Sequence, residues 1–300
     1  MTKEQRALLH RMMDDNRISA PPFTPSPMLW NWLNANLIRQ MHLDGVDAPE
    51  NSLMNHWFSA QLPGHKKYYF YAVWNLYCRL KERDRYGVLE KVEPSADSER
   101  GVCIDIAGKK LSWDYLNSAM SVMTIADFDS SYLTERRVVL EIGAGWGRLA
   151  HFLHAVNPSI TYIIADIPGA LLVAESYLTK LFPRSNRVRY DEIRRLDPIN
   201  LRGFESGFVF LGTHHLPKVA DQSVDLLINT SSFQEMEKRN VALYMAEARR
   251  IARTCYLLQR TKADEVGRED YIEMASSVGW SVKLERAPEF APLYAEMILG

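Results

Sequence analysis

Cysteine is scarce in this 300-residue chain: Cys78, Cys103 and Cys255 are odd in number, widely separated and form no C-x-x-C pair. Their scarcity excludes a disulfide framework and the thiolate spacing of a structural zinc site, and it points to a reducing, cytoplasmic setting. Long apolar runs are missing as well. None approaches the ~20 residues that span a bilayer, so no membrane partner is expected. The opening segment MTKEQRALLHRMMDDNR is charged throughout and lacks the apolar stretch of a secretory signal. Neither sign of charge dominates. Lys and Arg total 36 against 37 Asp and Glu, a formal net charge of −1, which leaves no global field to draw in nucleic acid or an anionic surface. Internal repeats and low-complexity tracts are absent too. What is present is 47% hydrophobic and 24% charged, an ordinary globular composition in a chain long enough for a real core.

The chain divides in two by pattern. Residues 1–111 read mainly as helices. Pro27 suits a first helical turn, and Met28, Leu29, Trp32, Leu33 and Leu37 follow at helical spacing. HKKYYFYAVWNLYCRLKERDRYG predicts a second long helix with Tyr69, Ala72, Val73, Leu76 and Leu80 on one side. EPSADSERG (93–101) is polar and turn-rich, as a linker would be, and VCIDIAGKKLSW suggests a small hairpin. Within 112–300, a helix from Trp113 leads into alternating strands and helices. Strands are expected at 138–142, 161–166, 207–211, 224–229 and 255–260, and helices at 148–156, 170–181 and 236–253. Short apolar strands joined by helices imply a parallel sheet covered on both faces. Two last strands, 280–286 and 293–299, are separated by six residues holding two prolines, too short for a parallel crossover, so they should pair antiparallel.

Glycine is sparse, yet three of the fifteen stand at alternate positions in VVLEIGAGWGRLAHFL, residues 138–153. Gly143, Gly145 and Gly147 follow a strand and precede a helix. Glycine there permits positive φ and lets a ligand approach the main chain, while the helix start offers free N–H groups. A dinucleotide fingerprint would place a small residue at 148, where Arg148 stands instead. The string E-x-G-x-G-x-G resembles motif I of class I S-adenosylmethionine (SAM)-dependent methyltransferases. Asp166 closes the second strand 23 residues after Gly143, where that family places a carboxylate on the ribose hydroxyls. A cap on the turn before Pro168 is its plainer role. VDLLINTSSFQEM, FLGTHHLP and ADIPGALLVAESYL are similar to a bacterial family named for sugar O-methyltransferases, over about residues 110–260. The resemblance implies a class I methyltransferase (Rossmann-like) fold, a seven-stranded mostly parallel sheet beneath an N-terminal helical cap, with SAM as cofactor and a small-molecule acceptor.

For the cofactor, Glu141, Gly143, Ala144, Gly145, Trp146, Gly147, Asp166 and Ile167 are candidates, with Asn229, Ser231 and Ser232 beside the sulfonium at the end of the fourth strand. Trp146 is either ordinary packing or an aromatic face for the sulfonium cation. Glu235, His214 and His215 are the candidate bases for the acceptor proton. Ser232-Phe-Gln-Glu235 also fits a capping box at a helix start. No metal is expected, because the loop after the fourth strand offers Asn, Thr and Ser instead of an Asp cluster. Trp30, Trp32, Trp57, Trp74 and Trp113 precede the motif, so the helical region is either a lid with an aromatic lining or simply a core of its own. The five arginines of PRSNRVRYDEIRR suit a solvated face or a phosphate-bearing acceptor. Two rivals to methyl transfer stay open: cyclisation of SAM itself to azetidine-2-carboxylate and methylthioadenosine, and SAM binding without turnover.

Overall fold

A computed structural model describes residues 1–18, 29–46, 65–94, 103–262, 266–288 and 293–300. Pro27, Trp57 and most of the expected linker lie outside the described residues. In chain order come α1 (Lys3–Ile18), α2 (Leu29–Asp44), α3 (His65–Arg83), α4 (Val88–Lys91) and the antiparallel hairpin β1 (Ile104–Ile106) and β2 (Lys109–Leu111). There follow α5 (Trp113–Phe128), β3 (Val138–Ile142), α6 (Arg148–Val156), β4 (Thr161–Asp166), α7 (Pro168–Leu181), β5 (Asn186–Val188) and α8 (Tyr190–Ile193). The chain closes with β6 (Gly207–Gly212), β7 (Val224–Thr230), α9 (Lys238–Ile251), β8 (Ala252–Arg260), α10 (Arg268–Ser277), β9 (Val282–Arg286) and β10 (Tyr294–Leu299).

Every residue of β3, β4 and β6 is buried, which is why their sequences read as unbroken apolar runs. The sheet order is β5-β6-β4-β3-β7-β8-β10-β9, with β10 antiparallel to both neighbours and the other pairings parallel. The fold is that of the class I methyltransferases. The sheet has eight strands, not seven. The added edge strand β5 is three residues long, with Asn186 and Arg187 exposed, so no apolar pattern announced it. The fourth strand of the alternating series runs one residue further than expected, to Thr230.

One face of the sheet packs against α5, α6 and α7, and the other against α9 and α10. Ser112 caps α5 by accepting from the Tyr115 N–H at 3.1 Å. Leu8, Leu9 and Met12 of α1, Leu37 and Met41 of α2, and Tyr69, Val73, Leu76 and Leu80 of α3 are buried and join the α5–α7 layer. Ala72, expected on the inner face of α3, is exposed. α1 is further tied to α8 across about half the chain's sequence length. Asp15 accepts from Arg194 Nε and Nη2, each at 2.7 Å, and from the Tyr190 hydroxyl at 2.7 Å, while Arg11 Nε donates to Asp191 at 2.9 Å. Both arginine–carboxylate pairs are two-pronged, the geometry that gives such pairs their specificity.

Candidate functional site

The winding reverses at β3: β4 and β6 lie on one side of it, β7 and β8 on the other. In open α/β sheets the carboxyl ends of strands at such a switch point frame the ligand crevice. Here the two walls are the turn after β3, residues 143–147, and the loop after β7, residues 231–235.

All three motif glycines have positive φ: 73° at Gly143, 61° at Gly145 and 85° at Gly147. Their tasks differ. A Cβ on Gly143 would lie 2.1 Å from Ser232 Oγ, so this glycine lets the two walls touch. A Cβ on Gly147 would meet Leu178 Cδ1 at 3.0 Å, so this one seats α6 against α7. Among the described residues, nothing lies within 4 Å of the Cβ position at Gly145. That is where the main chain is open to a ligand. Ala144, buried, closes the turn by accepting from the Gly147 N–H at 3.0 Å.

Asp166 ends β4 beside this turn. Its Oδ2 accepts from the Gly145 N–H at 2.7 Å and its Oδ1 from the N–H of Ile167, also 2.7 Å. Burial pushes its carboxyl up to about 7 against the pull of those two amides, and the charges of Glu141 and Glu235 push the same way. Glu235, from the opposite wall, is therefore close enough to Asp166 to be felt electrostatically. Glu141 is elsewhere. It is 1% exposed, its Oε2 accepting from the Tyr162 hydroxyl at 2.7 Å and its Oε1 from Thr230 Oγ1 at 3.3 Å, so it braces β3 against β4 and β7. Burial raises it to about 7 as well.

Asn229 is fully buried. Its Nδ2 donates to the Ile142 carbonyl at 2.7 Å, and its Oδ1 accepts from the Phe233 N–H at 3.0 Å and from Gln259 Nε2 at 2.6 Å. Ser231 has φ of 58°, rare for a residue with a side chain and common where a site constrains the backbone. The expected capping box at Ser232–Glu235 does not form. Residues Phe233–Glu235 make a single 3₁₀ turn, Ser232 makes no side-chain cap, and α9 begins only at Lys238. The physical reason is that the N–H a capping box would offer to the Ser232 hydroxyl, that of Glu235, donates instead to the Ser232 carbonyl at 3.1 Å, while the hydroxyl packs against Gly143.

The remaining candidates are engaged with neighbours of their own. His214 Nε2 lies 3.1 Å from the Tyr190 hydroxyl, which donates to Asp15 of α1, and the His214 and His215 rings are 4.0 Å apart. Burial lowers His214 to about 4 and His215 to about 3, so both are neutral at physiological pH. Trp146 packs edge-on against Tyr177 at 4.9 Å and is 9% exposed, the environment of a core ring. Trp74 is exposed on α3, whereas Trp113 is half-buried and donates its backbone N–H to Tyr69 Oη at 3.0 Å. Of the five arginines, Arg189 pairs with Glu175 and Arg194 with Asp15. Among the described residues, no three His, Cys, Asp or Glu side chains gather as a metal site. Two polar residues went unread in the sequence, Gln234 and Gln259. CYLLQR shows a strand but gives no sign that its glutamine points inward at the crevice's root.

No family model matches the chain, and no curated protein matches it. Among solved structures it is similar to magnesium protoporphyrin IX methyltransferase of Synechocystis PCC 6803 with bound SAM, at 14% identity and a TM-score of 0.41 over 62% of this chain and 81% of that one. It is also similar to the pyocyanin biosynthetic protein PhzM, at 14% identity and 0.44 over 77% and 69%. A SAM-dependent methyltransferase from Methanosarcina mazei matches at 13% identity and 0.39 over 57% and 95%. These scores are too low to transfer a substrate or a residue role.

Proposed function

We propose that residues 112–300 bind SAM in the β3/β7 crevice and transfer its methyl group to a hydroxyl of a small molecule, a sugar-like acceptor being favoured, while residues 1–111 cover the site. The observation that carries this is the switch-point crevice: an open glycine at 145 hydrogen-bonded to a buried strand-end carboxylate at 166, on a sheet of methyltransferase order. Asp166 has acceptor capacity left for ribose hydroxyls, since each oxygen holds one amide and can take a second donor. The open face at Gly145 lets the rest of the molecule lie against the main chain.

In this assignment the acceptor oxygen forms a bond to the methyl carbon as the carbon–sulfur bond breaks, its electron pair staying on sulfur to leave S-adenosylhomocysteine. The enzyme's main task is alignment. Glu235, across the crevice from Asp166, takes the acceptor proton and passes it to water. Burial lowers the basicity of His214 and His215, and both rings pack against Tyr190, so they rank behind Glu235 as bases.

The test is mass spectrometry of adenosyl products after incubation with SAM alone and with a pool of sugars and nucleotide sugars. S-adenosylhomocysteine formed only with the pool supports methyl transfer. Methylthioadenosine formed from SAM alone above the no-enzyme rate refutes it and identifies SAM itself as the substrate, with azetidine-2-carboxylate as the co-product that marks cyclisation.

A further inference from the structure

Gln259 stands at the root of the crevice, fully buried on β8, one strand beyond β7. Its Nε2 donates to Asn229 Oδ1 at 2.6 Å and to the Asn229 carbonyl at 3.0 Å, and its Oε1 accepts from the Gln234 N–H at 3.2 Å. Gln234 returns the tie, its Oε1 accepting from the Arg260 N–H at 2.8 Å. The two glutamines thus stitch the loop after β7 onto the end of β8. Through Asn229 the chain continues to the Ile142 carbonyl, the last residue before the glycine turn. A side-chain amide has two orientations of nearly equal shape and opposite polarity. Asn229 presents Nδ2 to the Ile142 carbonyl and Oδ1 to the Phe233 N–H. Turned over, it would set oxygen against the Ile142 carbonyl and N–H against the Phe233 N–H.

We propose that Gln259 is a positioning residue for the site: the Ile142 carbonyl and the Phe233 N–H set the sense of the Asn229 amide, and Gln259 clamps that amide and the Gln234 N–H in place, which sets how closely the glycine turn and the 231–235 loop approach. The contact at stake is that of Gly143 with Ser232, where a Cβ has no room, and the loop concerned carries Glu235. The inference rests on the SAM assignment for this crevice. Buried amides that clamp other amides act over short, rigid distances, because each unmet donor or acceptor in a dry interior is costly.

The experiment measures SAM affinity by calorimetry in the full chain. Gln259→Leu keeps the bulk and removes all three bonds. Val224→Ala, at the buried amino end of β7 and far from the crevice, supplies a loss of thermal stability without touching the walls. Gln259→Glu is the conservative rescue: its neutral carboxyl donates to Asn229 and accepts from Gln234, whereas its carboxylate donates nothing. Affinities of this variant are taken as ratios to wild type at each pH from 8 to 5.5, so that Asp166, Glu141 and Glu235, common to both proteins, cancel. The expected result is a SAM Kd at least tenfold weaker in Gln259→Leu, unchanged within twofold in Val224→Ala, and a Gln259→Glu ratio that recovers severalfold as pH falls. An unchanged Kd in Gln259→Leu, an equal loss in Val224→Ala, or a Gln259→Glu ratio flat with pH overturns the proposal. Should Gln259→Leu not fold, the pH series of Gln259→Glu decides alone. Failure of the wild-type chain to bind SAM is a different result: it removes the SAM assignment, and the positioning role falls with it.

Discussion

Replacing Glu141 by Gln should make the folded chain more stable above neutral pH, although Glu141 belongs to the motif. Its carboxyl is 1% exposed, with Tyr162 donating to one oxygen and Thr230 to the other. Those two bonds do not offset burial, which raises the group from its ordinary 4.5 to about 7. Between those two values the folded chain holds a proton that the unfolded chain has released. Stability therefore falls as pH rises from 4.5 to about 7 and is level above that. Each tenfold in proton affinity is about 1.4 kcal/mol, so ionising this buried group costs the folded state about 3 kcal/mol at pH 8. Glutamine has nearly the same shape, accepts from Tyr162 through its oxygen and donates to Thr230 through its nitrogen, and carries no charge. Urea unfolding at pH 8 should show Glu141→Gln more stable than wild type by about 3 kcal/mol, with the gap closing toward pH 4, where both side chains are neutral. Asp166 titrates in the same window and is itself pushed up by the Glu141 charge, so its relief in the variant adds to the gap with the same sign. A variant no more stable than wild type at pH 8, or a gap independent of pH, would refute the reasoning.

Four further outcomes are expected. Gly145→Ala should cost only about 1 kcal/mol of stability for its positive φ but lower SAM affinity, whereas Gly143→Ala should damage both; equal SAM binding by Gly145→Ala and wild type in calorimetry would mean no ligand approaches there. Glu235→Gln should leave SAM affinity unchanged and reduce turnover by about 10²-fold once an acceptor is known, and an unaltered kcat would remove the base assignment. Asp15→Ala should release α1 from Tyr190 and Arg194 at a cost of about 1–3 kcal/mol, seen as faster amide hydrogen exchange along α1; unchanged exchange would show that the apolar contacts alone hold the helix. His214 and His215 should stay neutral down to pH 5 in an NMR titration, and the stability they contribute should be lost as pH falls from 6.5 toward 4; a midpoint near 6.5 for either ring would contradict its burial.

Much of the fold was legible because a parallel sheet writes itself into the chain twice, as apolar runs and as the helices that must separate them. β3, β4 and α6 fall on the expected residues, and the short Pro-containing connection before β10 did require an antiparallel pair. β5 was illegible for the converse reason. It pairs through three residues of backbone at the sheet's edge, and edge pairing needs no apolar side chains. The helical expectation for α3 was right in its inner stripe at Tyr69, Val73, Leu76 and Leu80, but Ala72, placed on the same side by its helical spacing, lies outward.

The site was legible in position and much less so in the role of each residue. Three alternating glycines announce a turn, and sequence assigns them a common purpose. In the fold one admits the opposite loop, one admits a helix, and only Gly145 faces open space. That division depends on what lies across each missing Cβ, and Ser232 and Leu178 are 89 and 31 residues away along the chain. The capping box failed in the same way. Ser-x-x-Glu is a local pattern, and a local pattern holds only while its donors are uncommitted. Here the Glu235 N–H turns back to the Ser232 carbonyl in a 3₁₀ turn, and Asn229, held by Gln259, anchors the start of that turn by accepting from the Phe233 N–H. Outside any capping box, Glu235 stands on the loop whose charge reaches Asp166, the place that the proposed proton transfer requires of it.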